Sequence, residues 1–128
     1  MKLSRIHHIA IICSNYEVSK MFYTQILNLK IIKETYRHER NSYKLDLAIG
    51  DHYQIELFSF DNVPARQSKP EACGLRHLAF QVDDIANCIA QLMQKGIVTE
   101  PVRVDQLTNK KFTFFADPDG LPLELYEK

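Results

Sequence analysis

Four side chains carry the chemistry that this sequence could perform: His8, Glu56, His77 and Glu124. His8 lies in Ile6-His7-His8-Ile9-Ala10-Ile11 and His77 in Leu75-Arg76-His77-Leu78-Ala79-Phe80, so the pattern apolar-x-His-apolar-Ala-apolar returns after 69 residues. Glu56 in Ile55-Glu56-Leu57-Phe58 and Glu124 in Leu123-Glu124-Leu125-Tyr126 repeat apolar-Glu-Leu-aromatic after 68. Two landmarks that agree on one period point to an internal duplication. A single histidine on an apolar strand is ordinarily a packed or rim residue, and a single glutamate faces solvent. Joint recurrence sets these four apart. A carboxylate in the middle of an apolar strand is expensive unless it is paired, hydrogen-bonded or bound to a cation. A pseudo-two-fold axis relating the copies could bring all four together. Two imidazoles and two carboxylates make a borderline-hard donor set suited to divalent Zn, Ni, Co, Mn or Fe.

The elements that must position these residues read as βαβββ twice, an α+β fold. In the first copy a strand at 6–12 leads to Ser14-Asn15-Tyr16-Glu17, which has capping-box spacing, and then to a helix with Val18, Phe22 and Ile26 on one face. Strand-like runs follow at 29–36, 43–49 and 53–60, with Gly50-Asp51 as a turn. The second copy predicts a strand at 75–82, Asp83-Asp84 as cap, and a helix burying Ile85, Ile89, Leu92 and Met93 before Gly96. Strands near 97–104, 111–116 and 121–127 complete it, with Asp117-Pro118-Asp119-Gly120 turning the last hairpin. The expected organisation is a single domain over 1–128: module one at 1–60, a polar, proline-containing linker at 61–74, and module two at 75–128. Strand alternation puts Glu56 on the face of Gln54 and Phe58, and Glu124 on the face of Pro122 and Tyr126.

Composition excludes several classes. A chain of 128 residues with 45% apolar and 25% charged side chains is built like an ordinary globular domain. Sixteen Lys and Arg against sixteen Asp and Glu leave no surplus cations for binding nucleic acid. No apolar run approaches the roughly 20 residues of a membrane span. Two histidines interrupt the stretch where a signal peptide would be apolar, and three cysteines without CxxC spacing suit reduced thiols, so the expected location is cytoplasmic.

The segments HHIAI, YQIEL, RHLAF and FFADPDGLPLELYE resemble the vicinal oxygen chelate superfamily, which includes glyoxalase I, bleomycin-resistance proteins, fosfomycin-modifying enzymes, methylmalonyl-CoA epimerase and extradiol dioxygenases. The resemblance spans essentially the whole chain, and the DPDG-x-x-x-E-L ending is its most specific part. It implies modules that curl into half-barrels around a metal cleft, with ligands at His8, Glu56, His77 and Glu124 and one divalent ion per site. A His/Glu/His/Glu set is similar to that of glyoxalase I. Extradiol dioxygenases and thiol transferases use two His and one Glu, and drug-sequestering members generally lack the ligands. There is also a departure. Where glyoxalase I holds glutathione through an Arg and an Asn, each four residues beyond a ligand, this chain has Ile12 and Phe60. An apolar side chain cannot replace a guanidinium fork on a carboxylate.

The resemblance therefore implies a glyoxalase-type lyase or isomerase acting on a small substrate through vicinal oxygens, without glutathione. Glu124 is the implied catalytic base and Glu56 the second choice. Two alternatives stand beside this reading: a non-enzymatic drug- or metabolite-binding protein, and an iron-dependent dioxygenase or thiol transferase. Arg5, Arg37, Arg40, Lys44, Arg103 and Lys111 could meet an anionic substrate end, although scattered cations are mostly solvated surface. Tyr126 is a candidate pocket residue, and Cys73 is read as structural. His38 and His52 are read as surface, and His7 has no counterpart in the second copy. The expected partners are a small molecule and a second copy in a homodimer, with neither nucleic acid nor membrane.

Overall fold

The computed structural model describes the backbone of residues 1–128 and every side chain except those of Tyr53 and Gln54. The expected placement of Gln54 on the Glu56 face thus lies outside the described side chains. The chain forms two compact units, Met1–Ala65 and Arg66–Lys128. The first contains β1 (Ile9–Cys13), α1 (Tyr16–Met21), β2 (Lys30–Arg37), β3 (Ser42–Ile49) and β4 (His52–Ser59). The second repeats the order with β5 (Leu78–Val82), α2 (Ile85–Gln94), β6 (Arg103–Val104), β7 (Lys111–Ala116) and β8 (Pro122–Glu127). The α+β expectation holds. Each unit has a mixed four-stranded sheet, ordered β1-β4-β3-β2 and β5-β8-β7-β6, and neither is a closed barrel.

Register makes the repeat physical. β1 runs parallel to β4 with Ala10 opposite Glu56, and β5 runs parallel to β8 with Ala79 opposite Glu124. The remaining pairings are antiparallel. Alternation along the strands buries Leu45, Leu47, Ile55 and Leu57 in the first unit, and Thr113, Phe115, Leu123 and Leu125 in the second. Glu56 and Glu124 consequently point to the other face of their sheets.

Both first strands begin later than the sequence suggests. Ile9 and Leu78 are the first paired residues, so His8 and His77 each sit one position before the ladder. The expected strand at 97–104 shrinks to Arg103–Val104. Glu100 still donates its N–H to the Phe114 carbonyl at 2.7 Å, but Pro101 has no N–H to continue the ladder.

The helices also differ in the face they bury. Asn15 caps α1 by accepting from the Val18 N–H at 3.2 Å. After six residues α1 widens into a π-helical turn, Phe22–Ile26, where Leu27 N–H donates to the Phe22 carbonyl at 3.0 Å. The buried stripe runs through Tyr16, Ser19, Phe22 and Tyr23, the i, i+3, i+7 face, and leaves Val18 42% exposed and Ile26 half-buried. In α2, capped by Asp84 on the Asn87 N–H at 2.9 Å, Ile85 and Leu92 are buried and Ile89 half-buried. Met93 is 71% exposed, because one residue turns the helix by about 100° away from Leu92. Gly96 ends this helix at φ +77°, a left-handed conformation that favours glycine. No helix among the described residues is long and apolar enough to cross a membrane.

Candidate metal-binding site

Each unit brings one imidazole to one carboxylate. His8 Nε2 lies 3.6 Å from Glu56 Oε2, and His77 Nε2 lies 3.1 Å from Glu124 Oε2. The four residues singled out in the sequence thus meet in equivalent pairs within their own units. Among the described residues no group of three or more His, Cys, Asp or Glu side chains gathers to hold an ion. The pair distances test whether the donors suit a metal. Ligands at about 2.1 Å from one ion stand roughly 3.0 Å apart at a right angle and roughly 3.4 Å apart at a tetrahedral angle. Both pairs lie close to these spacings, which are also those of a histidine–carboxylate ion pair, so each pair offers two donors of the kind a divalent ion takes. His77 Nδ1 is also buried without a hydrogen-bond partner among the described residues. Such a ring has only its outward nitrogen engaged.

The surroundings of the two pairs diverge. In the first unit Asp46 stands opposite Glu56 in the β3–β4 register, and Lys44 projects from the same side of β3. Lys44 Nζ lies 2.8 Å from Glu56 Oε1 and 2.5 Å from Asp46 Oδ1. In the second unit Phe114 takes the place of Asp46 opposite Glu124, and Phe112 takes the place of Lys44. Phe114 meets the His77 ring edge-to-face with centroids 5.3 Å apart. Glu124 is buried, and among the described residues His77 is its ion-pair partner. In the first unit the carboxylate is held by a cation, and in the second it stands opposite an aromatic residue.

Some neighbours escaped the sequence reading. His7 Nδ1 lies 2.8 Å from His8 Nδ1, so it orients the ring whose other nitrogen faces Glu56. Only its adjacency to His8 could have signalled this. Lys44 and Arg103 were two cations among six. The structure puts the first on Glu56 and the second across Phe112 and Phe114, with its guanidinium carbon 4.9 and 5.4 Å from their ring centroids. Arg37 lies over Phe58 at 4.7 Å and Phe60 at 5.4 Å. The Phe60 position is thus part of an aromatic wall, and Ile12 is 55% exposed. Arg5, Arg40 and Lys111 are exposed, as are His38, His52 and Cys73.

Tyr126 stacks on Phe112 with centroids 6.4 Å apart, and its hydroxyl donates to Asp105 Oδ2 at 2.9 Å. A hydrogen bond with Thr108 draws the phenol's pKa down, but burial and the Asp105 carboxylate outweigh it and leave the value raised. The hydroxyl keeps its proton at neutral pH and serves as a donor. The Leu107 backbone N–H, followed by Tyr126, holds the Asp105 carboxyl below the usual carboxylate range.

Duplicated mixed sheets with matched His–Glu pairs define a class. The chain belongs to the Glyoxalase/Bleomycin resistance protein/Dioxygenase superfamily, which it matches over residues 5–125. It is 61% identical over 128 residues to the uncharacterized protein YwkD of Bacillus subtilis, covering all of both chains. It is 35% identical over 135 residues to a probable lactoylglutathione lyase of Vibrio cholerae, covering 99% of this chain and 93% of the other. Among solved structures, a glyoxalase family protein from Enterococcus faecalis superposes with a TM-score of 0.90 at 54% identity, covering 99% of this chain and 100% of the other.

Proposed function

We propose that the chain is a divalent-metal-dependent lyase or isomerase of glyoxalase type, acting on a small molecule that offers two vicinal oxygens. His8, Glu56, His77 and Glu124 are the ligands, the two pairs coming from one chain or from two copies in a homodimer. One observation carries the reading: both units present an imidazole nitrogen and a carboxylate oxygen at ligand spacing, at the same place in a repeated sheet. A bound divalent ion supplies Lewis acidity to the substrate oxygens.

The chain's own residues divide the remaining work. Glu124 is the base: with Oε2 toward His77, its Oε1 takes a carbon-bound proton from the substrate and returns it to the neighbouring carbon. Lys44 holds Glu56 Oε1, which suits that residue to a fixed ligand's role. Phe112 and Phe114 exclude water from the face that carries Glu124. Ile12 and Phe60 offer no polar contact of the kind glutathione needs, so the substrate is another molecule. Three free cysteines suit a reducing compartment, and we assign the protein to the cytoplasm.

A second reading, a non-enzymatic binding module, draws on Lys44, which already neutralises Glu56. Metal titration separates the two. Chelated protein offered Zn, Ni, Co, Mn or Fe(II) should take up one equivalent per site, and His77→Ala should weaken uptake. Glu124→Gln should keep the ion yet slow deuterium exchange into 2-oxo or hemithioacetal substrates by roughly 10²- to 10⁴-fold. Refusal of every ion overturns the enzyme reading, and full exchange by Glu124→Gln overturns the base assignment.

A further inference from the structure

Beside His77 the second unit carries a half-open pocket of about 610 Å³. Arg66, Lys69, Arg76 and Arg103 line it against Glu71 and Glu100, so a chain of zero net charge gathers a positive surplus in one hollow. The cations are not equivalent. Arg66 builds the wall: it donates to the Leu75 and Arg76 carbonyls and, from Nε, to Ser68 Oγ at 3.0 Å. Ser68 in turn donates to the Gly120 carbonyl at 2.8 Å, tying that wall to the turn before β8.

Arg103 is the lining cation that shares an aromatic neighbour with His77, whereas Arg76 pairs with Glu71 at 3.2 Å. The Arg103 guanidinium rests on Phe112 and Phe114, and the Phe114 ring also meets the His77 ring edge-to-face. Two hydrogen bonds fix the segment leading to it: Glu100 N–H to the Phe114 carbonyl at 2.7 Å, and Thr113 Oγ1 to the Glu100 carbonyl at 2.6 Å. Its own ion pair, to Glu100 at 2.9 Å, joins two side chains that are 52% and 55% exposed. Pairs that open to water are weak, and a better-oriented oxyanion displaces them readily.

We propose that this pocket receives the anionic end of the substrate, a carboxylate or phosphate held by Arg103, while the substrate's vicinal oxygens face His77 and Glu124. The placement of the oxygens rests on the function proposed above; the anion site does not. The substrate class is a small acid whose oxyanion and vicinal oxygens are separated by a segment that lies against Phe114.

The test uses the full chain held in chelator, so that no ion takes part. Calorimetric titration with inorganic phosphate, and separately with malonate, should show saturable binding of at least one. The arm that binds identifies phosphate or carboxylate chemistry. Arg103→Gln should weaken that binding about tenfold or more, Arg103→Lys by less, and Lys30→Gln, a change at an exposed position outside the pocket, not at all. Circular dichroism checks that the variants are folded. Unchanged binding by Arg103→Gln, or no saturable binding of either anion, overturns the proposal. Binding that needs restored metal and ignores Arg103 also overturns it. Failure of the metal reading alone would leave the chelated titration intact.

Discussion

Replacing Lys44 by Met should tighten metal binding, although Lys44 is not itself a ligand. Its ammonium lies 2.8 Å from Glu56 Oε1, whereas Oε2 faces His8. An ion about 2.1 Å from Oε2 would stand roughly 5 Å from the ammonium. Repulsion between a unit and a doubly charged cation at that distance is about 1.7 kcal/mol in water and about 6.6 kcal/mol at an effective dielectric of about 20. The side chains of Lys44 and Glu56 are 26% and 12% exposed, so the true figure falls between these limits. Taking the water limit as a floor, Lys44→Met should lower Kd at least about tenfold. The substitution also leaves Glu56 and Asp46, opposite each other in the sheet, without their shared cation. The chelated variant should therefore melt lower than the chelated parent, and metal should raise its Tm by more. Competition against a chromophoric chelator measures Kd, and calorimetry with and without metal measures the stability shift. Equal or weaker metal affinity in the variant would refute the idea that Lys44 and the ion share one carboxylate.

Two further predictions concern stability. Lys20 pairs with Glu34, whose Oε2 also accepts from the Tyr16 hydroxyl at 2.9 Å, and these partners, Lys20 first, hold the Glu34 carboxyl below its usual range. A lowered folded-state value gives stability that is present above the ordinary carboxylate pKa of about 4.3 and is lost as pH falls through the folded value. Tyr16→Phe should cost about 1 kcal/mol at pH 7 in urea unfolding, and the deficit should shrink at pH 3; a constant deficit would contradict the assignment. Leu57→Ala, at a position with no exposure, should cost about 2–5 kcal/mol, against about 0.5 or less for the exposed Val18→Ala. Similar losses at both positions would contradict the buried stripe described for α1.

The recurrence of His and Glu reported strand pairing faithfully, because a duplicated sheet must repeat its register to keep one face buried. Ala10 opposite Glu56 and Ala79 opposite Glu124 are that register. What recurrence could not report was the cross-strand neighbour. Counted without interruption from the Ile49–His52 pair, the β3–β4 hairpin would set Leu45 opposite Glu56. The register slips between Leu47 and Ala48, and Asp46 stands there instead, with Lys44 beside it. A bulge leaves no mark in an alternating apolar pattern. The π-helical turn after α1 is equally silent, because Val18, Phe22 and Ile26 keep their four-residue spacing whichever way the turn widens. Pro101 was visible, yet the segment around it stays beside β7 through single hydrogen bonds that periodicity does not encode.

The duplication explains why the pairs match, and the later divergence explains why their roles need not. Both units carry an imidazole beside a carboxylate. The neighbours on β3 and β7 differ: Lys44 and Asp46 on one side, Phe112 and Phe114 on the other. A carboxylate engaged at Oε2 by His8 and at Oε1 by Lys44 cannot swing without losing a charge-assisted hydrogen bond. Among the described residues Glu124 has His77 as its ion-pair partner, through Oε2, and stands opposite Phe114, which offers its carboxylate no charge. A proton carrier must move between two atoms of the substrate, and a ligand must stay where it is. On the function proposed above, the cation beside Glu56 suits a carboxylate that holds an ion, and the aromatic residue opposite Glu124 suits its copy to proton transfer.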